Sequence, residues 1–146
     1  MSHYHNILVA IDLSDESKKV LDRAWQIAER NHAEVSVLHT LEPLGFAYGG
    51  DIPMDLSSIQ DQLDEHAHKR LKELAADFKI PEERQYVVVG MPDTEIHRMA
   101  KEKDFDLVVV GSHGRHGLQL LLGSVSSGVL HGAPCDVLAV RVGESQ

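Results

Sequence analysis

Apolar positions along the chain fall into two alternating patterns. Residues 6–11, Asn-Ile-Leu-Val-Ala-Ile, form a continuous aliphatic and β-branched run. Such a run suits a strand covered on both faces rather than one with a wet side. Comparable short runs recur at residues 34–40, 86–89, 106–110 and 135–142. Between them the period changes to that of a helix. Val20, Ala24 and Ile27, beside Ser17, Leu21 and Ala28, predict a helix ending near Asn31. Ser14 is its expected cap, with Asp15 and Glu16 at its positive end. Ile59, Leu63, Ala67, Leu71, Leu74 and Phe78 draw one apolar stripe on a second helix, which Pro81 stops. Ile96, Met99 and Ala100 mark a third helix opened by Gly90-Met91-Pro92-Asp93, and residues 123–131 a short fourth.

Five strands alternating with helices predict an α/β fold, an open doubly wound five-stranded parallel sheet. The first β-α-β unit should cross right-handed. At 146 residues the chain suits one domain, residues 1–146, with no repeat and no boundary. Residues 41–57 carry Pro43, Gly45, Gly49, Gly50 and Pro53 and form a long irregular connection, either a binding element or a solvated insertion.

Charge narrows the function. There are 23 acidic residues against 14 Lys and Arg, a net charge of -9. That field repels phosphate backbones and anionic lipid, so no nucleic-acid or membrane partner is expected. It does not exclude a small anion, because local backbone donors overcome a global charge. No apolar stretch reaches membrane-spanning length, and residues 1–6 are polar, so the expected location is cytoplasmic. The one cysteine, Cys135, opens the last strand run and reads as an inert structural thiol.

The strongest chemical signal is Gly111-Ser112-His113-Gly114-Arg115-His116-Gly117, followed after five residues by Gly123-Ser124. It leaves the C-terminal end of a buried strand and runs toward a helix, where open α/β sheets bind ligands. Glycines permit close backbone approach, Ser124 and the first helical amides can hold a phosphate, and Arg115 can add charge-assisted bonds. The alternative is a loop that only turns the chain. It is neither a Walker A loop nor a Gly-x-Gly-x-x-Gly fingerprint. Asp12 ends the first strand at the same edge and can serve a ribose hydroxyl or a phosphate-held magnesium, or bond within its own turn. Thr40 and His39 end the second strand, where backbone groups can read an adenine edge; His39 reads as a sheet-end residue. The ten histidines show no convincing metal spacing, and no Gly-x-Ser-x-Gly elbow occurs. No catalytic residue is assigned.

Three stretches carry a resemblance: residues 7–14, Val89-Gly90-x-Pro92 with its helix, and residues 106–114 through Leu121-Leu122-Gly123-Ser124 to residues 133–140. On these the chain resembles the universal stress protein family in its small single-domain form. The resemblance implies an adenine nucleotide alpha hydrolase-like sheet of order 3-2-1-4-5 and a homodimer joined through the last strand, Val137 to Val142. It also implies a stress-response sensor or regulator that binds ATP, with Mg2+ accompanying the nucleotide. The family pattern is Gly, two residues, Gly, nine residues, Gly, then Ser or Thr. Gly111, Gly114, Gly123 and Ser124 match it, with Asp12 and Thr40 near the nucleoside. Two features depart. Eight residues, Arg115 to Leu122, separate Gly114 from Gly123, and Ala10 stands where ATP-binding relatives often have proline. The opening at Ala10 looks like a branch that does not bind ATP, which implies a dimeric interaction protein as the alternative. Slow ATP hydrolysis or phosphotransfer stays open as a third.

Overall fold

The computed structural model describes residues 4–42, 56–111, 129 and 132–141. Its elements are β1 (Asn6–Ala10), α1 (Ser17–Asn31), β2 (Glu34–Leu41), α2 (Leu56–Ala76), a 3-10 turn (Glu82–Arg84), β3 (Gln85–Val89), α3 (Pro92–Glu102), β4 (Leu107–Gly111) and β5 (Asp136–Val140). All five strands pair in parallel in the order β3-β2-β1-β4-β5. This is the order implied by the family resemblance.

Alternation along each strand sorts side chains onto two faces. On one face Ile7, Val9, Val35, Val37, Leu107 and Val109 pack with α1 through Val20, Leu21, Ala24 and Ala28, and with α2 through Leu71, Leu74 and Ala75. On the other face Leu8, Leu38, Val108 and Val110 meet Ile96, Met99 and Ala100 of α3. The central strand explains its own sequence. β1 is flanked by β2 and β4 and covered on both sides, so Ile7, Leu8 and Val9 are fully buried and no polar residue can alternate with them. The chain builds outward from β1 to β2 and β3, then returns past β1 to β4. Right-handed crossovers require the helices to change face when the direction reverses. Hence α1 and α2 share one face and α3 takes the other.

Several local expectations need correction. The α1 N-terminus has no side-chain cap; Ser14 instead turns its hydroxyl back to Asp12 at 2.6 Å. The stripe on α2 is buried at Ala67, Leu71 and Leu74 only, whereas Ile59 and Leu63 stay 43% and 40% exposed. Periodicity marks a face but not how far the sheet beneath it extends. β5 is shorter than the run 135–142 that announced it, because its pairing with β4 stops at Gly111↔Val140. The expected short fourth helix lies outside the described residues except at Val129, which is fully buried against the α3 face.

Candidate functional site

The register places the strand ends. Ala10 pairs with Leu38 on one side and with Val110 on the other. The next residues of each strand, toward Asp12, Thr40 and Gly111, therefore emerge at one sheet edge with β1 in the middle. The strand order reverses between β1 and β4, and the carboxyl ends at such a switch point diverge to leave a crevice. The sequence had placed Asp12, Thr40 and Gly111 in one site, and the fold brings their strand ends to one edge. Gly114, Arg115, Gly123 and Ser124 lie outside the described residues.

Asp12 organises the turn that leaves β1. Its Oδ1 accepts from the Ser14 amide at 3.0 Å, the Ser14 hydroxyl at 2.6 Å and the Ser17 hydroxyl at 3.1 Å. Ser17 is buried, so its hydroxyl needs that partner. Among the described residues every hydrogen bond to this carboxylate lands on Oδ1, leaving Oδ2 for other work. One use foreseen for Asp12, bonding within its own turn, is therefore seen at Oδ1.

Leu13 and Arg70 escaped the sequence, and the sheet-end reading of His39 gains a specific partner. Leu13 has φ 67°, the left-handed region, directly after Asp12. Arg70 of α2 donates from Nε to the Leu13 carbonyl at 3.2 Å and from Nη2 to Asp15 Oδ1 at 3.0 Å. His39 Nδ1 lies 2.8 Å from the Ile11 carbonyl. A carbonyl only accepts, so the His39 proton sits on Nδ1, and the ring ties the end of β2 to the exit of β1. Of these, only His39 had a legible signal, its place at a strand end. Arg70 is 57 positions from Leu13 and sits on a helix with many charges.

The remaining candidates resolve plainly. Cys135 is half-buried, and burial, followed by the Asp136 and Asp106 carboxylates, pushes its thiol pKa up. That fits the inert thiol expected from sequence. Among the described residues no cluster of three His, Cys, Asp or Glu is placed to hold a metal ion, and no helix is long and apolar enough to cross a membrane.

A sequence model of the universal stress protein family matches residues 3–141. The chain belongs to the universal stress protein family. This universal stress protein is 42% identical over 143 residues to Universal stress protein A homolog 1 of Coxiella burnetii, with 97% of this chain and 99% of that protein covered. It is 39% identical over 150 residues to Universal stress protein YxiE of Bacillus subtilis, covering 94% and 99%. Among solved structures it superposes on a universal stress protein in complex with cAMP at TM-score 0.70, 28% identity, with 96% and 98% covered. The protein MJ0577 shares the fold at TM-score 0.80 and 24% identity, with 99% and 100% covered.

Proposed function

We propose that this universal stress protein binds an adenine nucleotide, ATP with Mg2+, at the C-terminal edge of its sheet and acts as a sensor or regulator in the cytoplasm. The observation that carries the proposal is Asp12: it follows β1 at the switch point between β1 and β4, and its hydrogen bonds among the described residues all use one oxygen. Gly111, Gly114, Arg115, Gly123 and Ser124 supply the phosphate cradle, and Thr40 meets the base through its backbone. Asp12 Oδ2 fits either a ribose hydroxyl or a magnesium ion, which typically takes one or two carboxylates and the substrate phosphates. Support comes from the similar structure solved with cAMP, a ligand with the same adenosine core.

Asp12→Asn separates the two oxygens. Asparagine keeps an acceptor at the Oδ1 position and replaces Oδ2 by an amide donor. By titration calorimetry, wild type should bind Mg-ATP in the micromolar to low millimolar range. The variant should bind about tenfold or more weakly with its thermal midpoint little changed. No heat of binding to wild type at millimolar Mg-ATP overturns the proposal.

The eight-residue spacing from Gly114 to Gly123 favours a second reading, a dimeric interaction protein without nucleotide. Under it Gly114→Glu changes nothing in partner binding, and a partner interaction that depends on nucleotide state counts against it. Both readings share a homodimer through the last strand, Val137 to Val142. Among the described residues β5 pairs only with β4, so its outer edge presents unpaired backbone donors and acceptors.

A further inference from the structure

Among the described residues four non-glycine residues adopt positive φ: Leu13 (67°), His32 (57°), Lys79 (56°) and Asp104 (55°). Three of them follow helices. His32 closes α1 with its N–H on the Ala28 carbonyl, while Ile80 and Phe105, just after Lys79 and Asp104, bond back to Ala75 and Ala100. A left-handed residue there is an ordinary helix ending. Leu13 alone leaves a strand, and no helix ending accounts for it. In the left-handed region its Cβ crowds the following carbonyl, so something else must hold the conformation.

The peptide unit joining Leu13 to Ser14 is gripped from both sides. Its carbonyl, on Leu13, accepts from Arg70 Nε at 3.2 Å. Its N–H, on Ser14, donates to Asp12 Oδ1 at 3.0 Å. Rotating this peptide out of the left-handed geometry breaks both bonds together. Arg70 also reaches Asp15 Oδ1 at 3.0 Å and lies 3.6 Å from Glu73 on its own helix. Asp15 is 96% exposed, so that ion pair contributes little. The bond from the charged Nε to a carbonyl in a half-buried setting is the stronger one.

We infer that Arg70 is a positioning residue of the nucleotide site. By holding the Leu13 carbonyl it fixes the Leu13–Ser14 peptide, hence the Ser14 amide, hence which oxygen of Asp12 is engaged and which faces the ligand. The inference rests on the proposed nucleotide function. It adds that α2, through Arg70, sets the orientation of Asp12.

The test uses Arg70→Ala, Arg70→Lys and the double variant Leu13→Gly/Arg70→Ala. Two quantities are read on folded protein of measured denaturation midpoint: hydrogen exchange of the Ser14 amide without nucleotide, and the Kd for Mg-ATP. In Arg70→Ala the Ser14 amide should exchange faster by about tenfold, and Kd should rise by about tenfold, equal to about 1.4 kcal/mol. Arg70→Lys cannot bond both acceptors with a single ammonium in the fork geometry, so it should show most of the loss. Glycine at position 13 adopts positive φ freely. Leu13→Gly should therefore restore most of the affinity lost in Arg70→Ala, which a role in general stability does not predict. Unchanged exchange and Kd in Arg70→Ala, or a lowered denaturation midpoint with Kd unchanged, overturn the inference. Should Arg70→Ala not fold, Arg70→Lys carries the same two measurements. If wild type binds no Mg-ATP, the nucleotide reading falls and Arg70's role toward it falls with it. The Ser14 exchange rate still decides separately whether Arg70 holds the turn.

Discussion

Asp12 and Cys135 sit near opposite ends of the sheet and show how surroundings assign roles to single side chains. Asp12 stands at the switch point between β1 and β4, and its Oδ1 builds the turn by accepting from Ser14 and Ser17. Cys135 enters β5 against the α3 face, where burial disfavours the thiolate and two nearby carboxylates add to the effect. The thiolate is the reactive species, so alkylation of native protein by iodoacetamide at pH 7.5 should run at least tenfold slower than in urea. The rate should climb as pH rises through the elevated pKa. The sign for stability follows. The folded state holds the Cys135 proton more tightly than the unfolded chain does. Its contribution is therefore complete below the unfolded thiol pKa and is lost as pH rises through the folded value. Tyr4 acts in the same direction: its hydroxyl donates to Asp136 at 2.7 Å, and that bond raises its pKa.

At the scale of elements, the three described α-helices end on non-glycine residues near or in the left-handed region: His32 after α1, Lys79 after α2, Asp104 after α3. The exposed His32 makes the best test, since its closing bond uses only backbone. His32→Gly should stabilise the protein by roughly 0.5–1 kcal/mol, measured by urea unfolding, because glycine relieves the Cβ crowding. A loss of stability would show that the His32 side chain contributes more than its backbone strain. The elements also show where sequence patterns carry far and where they stop. The run at Ile7, Leu8 and Val9 announced a strand covered on both faces, and all three are fully buried. The stripe on α2 ran on through Ile59 and Leu63, although those two side chains stay substantially exposed. Residues spaced for one face look alike whether or not a partner lies beneath them. Ser14 was read as a helix cap from its type and place, yet its oxygen accepts no amide of α1, and its hydroxyl donates to Asp12 two residues back.

At the scale of the whole molecule, the sheet has two edges among the described residues, at β3 and β5. We propose the β5 edge as the dimer seam, by pairing across a two-fold axis. Light scattering at micromolar concentration should give about twice the 16.2 kDa chain mass. Charge introduced on the strand, as in Leu138→Glu, should shift it toward monomer, and a monomeric wild type refutes the seam. The net charge of -9 bears on partners in a different way. It sets long-range repulsion from polyanions, while the candidate site depends on donors within a few ångströms.

The sequence by itself determined the class of fold and the five strands. These follow from periodicity and residue type within short windows, which local sterics and burial translate directly into structure. The family resemblance supplied the strand order that periodicity lacks. Only the tertiary structure decided the interior of the site. It set Leu13 in the left-handed region, divided the two oxygens of Asp12, and brought Arg70 from another helix onto the turn. Those features depend on contacts between residues up to 57 positions apart. No local preference of leucine or arginine encodes such contacts. They exist because α1 and α2 are packed on the same face of one sheet.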